Sequence, residues 1–172
     1  MLLGSTASKV IRKGDTPVLI VRAGEVNLYQ NVLVSVDFSE SSRLALETAL
    51  RIAPGSSMYT LHAFEALDEA SMRSAGCSEE AVQQYRMQAH SDVQRKLDEF
   101  LGKFPNATHI ARLIEDGYPP AVIRNQALRL RASLIVIGKH GLQEVDKELL
   151  GRVTKHVLYE TDCDVLVVPG KI

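Results

Sequence analysis

The chain has 172 residues, which suits one ordinary domain with a short surplus, and its 45% hydrophobic content is enough for a buried core. Its 20 basic and 21 acidic residues leave a net charge of −1, which gives no electrostatic case for a nucleic-acid partner. Cys77 and Cys163 form no metal-ligand or CxxC pattern, and no apolar run approaches the roughly 20 residues of a membrane helix. We therefore expect a cytoplasmic protein with no membrane partner.

Residues 1–22 repeat the end of the chain. Leu2 matches Leu149 and Val21 matches Val168, both 147 positions apart. Identical residues at this spacing, without a gap, are Leu2, Leu3, Gly4, Val10, Asp15, Val18, Leu19 and Val21. Because this spacing is about one domain length, we interpret residues 1–22 as the closing helix and strand of a preceding domain copy. Residues 23–30 would be the linker, and chance similarity is the weaker explanation.

Beyond residue 30 the hydrophobic pattern alternates between strands and helices. Five apolar or β-branched runs predict strands: 31–37, 58–64, 109–114, 134–137 and 165–168. Four segments predict helices: Ser39 to Ala53, Ser78 to Leu101 with an apolar stripe that is most simply core, Pro119 to Leu130, and about 151–159. Residues 65–77 show no clear period and predict a loop or lid. This alternation predicts an α/β fold with a parallel sheet, whose ligands lie at the carboxyl ends of the strands.

A glycine-bearing loop follows the fourth predicted strand. Gly138, Gly141 and then Gly151 stand between that strand and the last predicted helix. Glycine lets the backbone approach an anion closely, and the free N–H groups of a helix N-terminus bind phosphate. The spacing matches neither the P-loop nor GxGxxG, so the pattern predicts a phosphate site of another kind.

Polar residues near this loop allow more than one interpretation. Asp37 ends the first predicted strand and is either a turn acid or, as we favour, a contact for a ribose, a base or a metal ion. Lys139 is either a solvated cation or a phosphate contact. His140 either donates to phosphate or caps the loop, and both remain open. His62, within the second strand, is more simply a core histidine.

These segments together resemble the universal stress protein family. The resemblance covers residues 31–169 and depends on Val34-Ser35-Val36-Asp37-Phe38-Ser39, Leu61-His62-Ala63, the G-x2-G-x9-G spacing from Gly138 to Gly151, and Val165-Leu166-Val167-Val168-Pro169. It implies a three-layer α/β sandwich with a five-stranded parallel sheet, Rossmann-like and adenine nucleotide α-hydrolase-like. The extra N-terminal helix and strand then make the chain resemble the second half of a tandem family member.

The resemblance also implies an ATP site, with Mg²⁺ or Mn²⁺ as a companion ion, in a stress-response regulator. The nucleotide-binding positions carry over to Ser35, Asp37, Ala63, Gly138, Lys139, His140, Gly141, Leu142, Gly151, Arg152, Val153 and Thr154. One position departs from the family, because Arg152 stands where the pattern has Ser or Thr. Arginine could clamp phosphate, point outward, or close the site. Thr154 would partly replace the lost hydroxyl. A nucleotide-free dimerisation or interaction module, closed by Arg152, is therefore the alternative function.

Neither catalysis nor a resident metal site is predicted. The chain has no Ser-His-Asp order, no Walker lysine and no metal-ligand spacing among its histidines, so we expect binding with at most weak ATP hydrolysis. A phospho-accepting receiver domain is disfavoured because Asp37 has no adjacent acid. Family members dimerise through their last strands. We therefore expect Pro17 to Val21 to pair antiparallel with Val165 to Val168, in a homodimer or as an intramolecular pseudo-dimer.

Overall fold

The computed structural model describes residues 5–22, 28–65, 69–105, 107–141 and 150–170. The helices there are α1 (Ser5–Lys13), α2 (Glu40–Ile52), α3 (Glu69–Ser74), α4 (Glu79–Leu101), α5 (Pro119–Arg129) and α6 (Arg152–Glu160). The strands are β1 (Val18–Ile20), β2 (Asn31–Ser35), β3 (Ser57–Phe64), β4 (Ala111–Asp116), β5 (Leu134–Gly138) and β6 (Asp164–Val168). A single 3₁₀ turn, Ala107–His109, precedes β4.

The strands form one sheet in the order β1-β6-β5-β2-β3-β4. The five strands from β2 to β6 run parallel to one another, as predicted. β1 lies antiparallel on the outer edge of β6, with Val18 opposite Val167 and Ile20 opposite Val165. Within this chain the N-terminal strand therefore lies against the last strand, and Pro17 and Val21 flank the paired residues.

Helices cover both faces of the sheet, which gives the predicted three layers. Alternation along β2 sends Val32 and Val34 into one core and Leu33 into the other. The first core lies under α2 and α4, which contribute apolar side chains such as Leu46 and Leu97. The second core lies under α1, α5 and α6. None of the described helices is both long and apolar enough to cross a membrane.

Helix starts follow the local signals in the sequence. Ser39 caps α2 by accepting a hydrogen bond from Ser42 N at 3.2 Å, and Ser78 caps α4 in the same way through Ala81 N. α5 begins with two prolines, which a first helical turn tolerates because its N–H groups have no helical acceptor. The start of α2 also fixes the turn that follows β2, because Ser39 donates to Asp37.

Three local predictions differ from the structure. The segment 65–77, predicted as a loop or lid, contains the short helix α3 among its described residues. The third predicted strand begins two residues late, at Ala111, because Ala107–His109 forms a 3₁₀ turn. Half of the predicted apolar stripe of α4 is only half-buried: Tyr85, Ala89 and Val93. Periodicity located these elements but not their ends or their depth.

Candidate functional site

A cleft of about 650 Å³ opens at the carboxyl ends of β2 and β5. These two strands are neighbours at the point where the chain reverses its direction of progress through the sheet, which is where parallel α/β sheets bind ligands. Most of the predicted site residues line it: Ser35, Asp37, Ala63, Gly138, His140, Gly141, Gly151, Arg152, Val153 and Thr154. Lys139 does not line it, and Leu142 lies outside the described residues.

Asp37 both shapes the cleft and lines it. Its Oδ1 accepts hydrogen bonds from Ser39 N at 3.0 Å and from Ser39 Oγ at 2.5 Å. These bonds close a tight turn in which Phe38 has a φ of 65°, a conformation uncommon for a bulky residue. The interpretation of Asp37 as a turn acid is therefore correct. Its place in the cleft leaves the ligand contact as a proposal.

Close approach requires glycine at position 138 and leaves little room for a side chain at position 141. A Cβ on Gly138 would lie 2.7 Å from Ser41 Cβ, so β5 and α2 can pack together only if position 138 has no side chain. A Cβ on Gly141 would lie 3.0 Å from Asp37 Oδ2 across the cleft. Gly138 thus serves helix–sheet packing first, and substituting it would disturb the fold as well as any ligand.

The first turn of α6 forms the wall opposite Asp37. Its N-cap residue is Gly151, which has no side chain to accept hydrogen bonds from the first N–H groups. Gly151 N itself donates to Lys139 O at 3.0 Å. A helix N-terminus has a partial positive charge and attracts anions. This wall therefore suits a phosphate or carboxylate group.

Thr154 does not replace the missing serine. Its side chain is 3% exposed, and its Oγ1 donates to Gly138 O at 2.7 Å. The hydroxyl hydrogen is therefore engaged in tying α6 to the end of β5. The expectation that Thr154 would supply a hydroxyl to phosphate is corrected on this point, since its donor already has an acceptor.

Arg152 lies at the rim of the cleft. It is exposed, and its guanidinium carbon is 5.9 Å from the centroid of the Tyr118 ring, within reach of a cation–π interaction. Tyr118 directly precedes Pro119, which also lines the cleft. The side chain that departs from the family pattern is thus held against the neighbouring wall.

Lys139 points away from the cleft. Its side chain is 5% exposed, and its ammonium donates to Arg12 O and to Gly14 O, the latter at 3.2 Å. It is therefore neither a solvated cation nor a side chain that the structure brings to the phosphate wall. Its acceptors are the last carbonyl groups of α1, which a lysine ammonium satisfies well.

The histidine of the second strand lies at the cleft rather than in the core. His62 Nδ1 is 2.7 Å from Val36 O, and its ring stacks on Phe38 with centroids 4.5 Å apart. Burial lowers the pKa of His62, against the hydrogen bond to Val36, which raises it. His62 directly precedes the predicted site residue Ala63, so the sequence could have placed His62 near the site. Sequence reasoning also missed Val36, Ser42, Phe64, Pro119 and Ile137.

No metal centre is preformed in the described parts of the chain. Those parts contain no group of three or more His, Cys, Asp or Glu side chains able to hold a metal ion. Among the described residues that line the cleft, Asp37 is the single carboxylate. One carboxylate suits an ion such as Mg²⁺ only when a ligand's phosphates supply other oxygens.

The fold and the cleft define an α/β protein with a glycine-bearing loop at the switch point of its sheet. The family model described as "Universal stress protein family" matches residues 28–169, and the chain belongs to that family. Universal stress protein MJ0531 of Methanocaldococcus jannaschii is 27% identical over 151 residues, which cover 87% of this chain and 86% of that protein.

Solved structures share the fold to different extents along the chain. A universal stress protein from Archaeoglobus fulgidus has a TM-score of 0.70 and 24% identity, over 99% of this chain and 57% of its own. A universal stress protein in complex with cAMP has a TM-score of 0.58 and 26% identity, over 83% of this chain and 98% of its own. Against several curated relatives, too, the chain spans just over half of their length, 55–56%.

Proposed function

We propose that this protein binds an adenine nucleotide, with ATP the first candidate, and acts as a cytoplasmic regulator in the stress response. The observation that favours this function is one shared cleft. Asp37, the glycine loop from Gly138 to Gly141 and the first turn of α6 all line it, and Gly151 leaves that turn without a side-chain cap. An anionic ligand with a polar sugar fits such walls.

The two ends of the cleft suit the two ends of a nucleotide. The phosphates would lie along the glycine loop and the start of α6. The base would lie near Ala63 beside the aromatic rings of His62 and Phe64, whose centroids are 6.3 Å apart and nearly parallel. Mg²⁺ or Mn²⁺ would be held by the phosphates together with Asp37, because that ion needs ligand oxygens from both.

We expect binding with little or no turnover. Hydrolysis of ATP needs a group that orients water and cations that stabilise the transferring phosphoryl group. In the described cleft, Asp37 already accepts two hydrogen bonds from Ser39, and the Lys139 ammonium is directed to α1. Any hydrolysis is therefore expected to be weak.

Cyclic AMP is the second candidate ligand. A relative at 26% identity was solved in complex with cAMP, and that molecule shares its adenosine with ATP. The two ligands differ in their anionic part, since cAMP has one phosphate and ATP three.

Isothermal titration calorimetry with ATP, ADP, cAMP and GTP, each with Mg²⁺, tests this proposal. We expect ATP or ADP to bind the wild type more tightly than GTP. Arg152→Ser, which restores the family's hydroxyl, should change ATP affinity several-fold, whereas Arg95→Ser, at an exposed position on α4, should not. Binding only in Arg152→Ser would instead support the nucleotide-free module closed by Arg152. No binding by either protein would contradict the proposal.

We further propose that the chain forms an intramolecular pseudo-dimer through its last strand. β1 occupies the outer edge of β6, and the repeat at 147 positions makes α1 and β1 the counterparts of α6 and β6. The Archaeoglobus structure, which covers 99% of this chain against 83% for the cAMP complex, is consistent with two such pairs in tandem relatives. Light scattering should then give a monomer of 18.9 kDa, and a concentration-independent dimer would contradict closure in one chain.

A further inference from the structure

We propose that Lys139 is a positioning residue that couples the docking of α1 to the shape of the cleft. The inference goes beyond nucleotide binding, because it concerns how the N-terminal segment and the site influence each other in the ligand-free protein. Lys139 contacts three elements, namely the end of α1, the end of β6 and the start of α6.

The side chain of Lys139 holds the end of α1. Its ammonium donates to the carbonyl oxygens of Arg12 and Gly14, and only 5% of the residue is exposed. Gly14 closes α1 through a hydrogen bond from its N–H to Val10 O at 2.8 Å. If α1 left its place, the ammonium would lose both of these acceptors. That loss opposes undocking.

The backbone of Lys139 joins the end of β6 to the start of α6. Its N–H donates to Val168 O at 2.7 Å, which fixes the end of β6. Its carbonyl accepts from Gly151 N at 3.0 Å, which fixes the start of α6. The residue is also the first of the glycine loop after Gly138. A shift of Lys139 therefore moves the loop relative to the helix that faces it.

These contacts make docking and cleft geometry depend on each other. With α1 docked, the side chain restrains Lys139, and Lys139 restrains Gly138 to Gly141 against Gly151. With α1 loosened, the loop loses one of its fixed points. Because such linkage is reciprocal, anything that rigidifies the loop also favours the docked helix.

Hydrogen exchange of the ligand-free protein tests the side-chain contact. Lys139→Met keeps the length of the side chain and removes its three donors. We expect amide exchange in α1 and β1 to accelerate by about tenfold or more, as for the loss of a buried charged hydrogen bond. Lys139→Arg, which can still donate to carbonyl oxygens, should recover much of the protection. Lys155→Met, at an exposed lysine of α6, is the matched control and should exchange like the wild type.

A second variant tests the coupling without changing Lys139. Ile11 is 2% exposed in the core beneath α1, so Ile11→Ala loosens the helix from its other side. We expect Ile11→Ala to accelerate exchange at Lys139 to Gly141 and at Gly151 to Val153 as well. In the double variant with Lys139→Met, Ile11→Ala should add little at those cleft amides, because the side-chain contact between position 139 and α1 is already absent.

Several results would overturn the inference. Unchanged exchange of α1 in Lys139→Met would show that the lysine does not hold the helix. Loosening by Ile11→Ala confined to α1 and β1 would show that docking and cleft are independent. If nucleotide binds and accelerates exchange of α1, the coupling has the opposite sign and the inference is wrong. A failure of nucleotide to bind would contradict the proposed function while leaving these ligand-free results to decide the inference.

Discussion

The N-terminal pair, α1 with β1, and the closing pair, α6 with β6, share one sequence pattern but differ in burial. Ile11 and Leu158 are equivalent in the repeat and are both buried, at 2% and 0% exposure. Their preceding residues differ, since Val10 is 51% exposed and Val157 only 1%. The pattern therefore specifies one buried face of each helix, and the place of the helix in the fold decides how much more is covered.

The paired strands show the same difference. Leu19 is 43% exposed, whereas its equivalent Leu166 is 6% exposed. β6 has a neighbour on both sides, while β1 forms the edge of the sheet and is paired only with β6. A short edge strand limits further pairing with other chains. The N-terminal pair thus covers the edge of the closing pair, while its own strand stays more exposed to solvent.

Equivalent core substitutions should give the largest difference between the pairs. We expect Leu158→Ala to lower the free energy of unfolding by about 3–5 kcal/mol, because the cavity would form at a fully buried position beneath a helix that packs against α5 and β6. Ile11→Ala should cost nearer to about 2 kcal/mol, because α1 lies over the sheet edge and can shift to fill the space. Urea denaturation measures both, and equal costs would contradict the difference in environment.

Substitutions of the neighbouring valines should differ by less in their effect on the free energy of unfolding. Val157→Ala should cost about 1–2 kcal/mol, since it removes methyl groups that are 1% exposed. Val10→Ala, at a half-exposed position in a helix, should stay within about 0.5 kcal/mol of the wild type. The same denaturation experiment applies. A matching loss in Val10→Ala would mean that a further surface covers α1 in solution.

The smallest change in the free energy of unfolding is expected where the N-terminal segment meets the start of β6. Asp164 accepts hydrogen bonds from Arg22 N at 2.7 Å and from the Tyr29 hydroxyl at 2.8 Å. Burial first, and then the bond to Asp164, raises the pKa of Tyr29 from 10.0 to about 12. The pKa of Tyr29 is higher in the folded state than in the unfolded state. The contribution of its protonated hydroxyl to the free energy of unfolding is therefore complete below pH 10 and is lost as pH rises toward 12.

Tyr29→Phe is the variant that tests this alkaline loss. It should flatten the decline in unfolding free energy over that window, because the group that titrates differently in the two states is gone. A decline as steep as in the wild type would assign the pH dependence to other groups. Direct titration of the tyrosine absorbance would then show whether Tyr29 ionises near its ordinary pKa.

The fold was predictable because periodicity and turn residues agree along most of the chain. The buried run Leu134 to Ile137 and the N-caps Ser39 and Ser78 placed their elements correctly. The internal repeat, together with the last-strand pairing that the family resemblance implies, further predicted that β1 would lie on β6. The start of β4 was missed because the run from residue 109 to 114 was assigned to one strand, whereas Ala107–His109 forms a 3₁₀ turn.

The candidate site was predictable in its backbone but less so in its side chains. Glycine spacing located the loop and the start of α6, because a backbone that comes close to its neighbours needs glycine, and glycine can be recognised in the sequence. The directions of Lys139 and Thr154 left no such trace, since both depend on partners distant in sequence: Arg12 for one and Gly138 for the other. The stacking of Phe38 on His62 likewise depends on the turn that Asp37 closes.

The central claim is that the cleft holds an adenine nucleotide. The most direct measurement is to heat-denature the purified protein, separate the released small molecules by chromatography and identify them by mass. The account predicts ATP, ADP or cAMP at up to one equivalent, or, from a protein purified empty, saturable uptake of added ATP with Mg²⁺. A protein that releases no nucleotide and takes up none, while Arg152→Ser also takes up none, would contradict it.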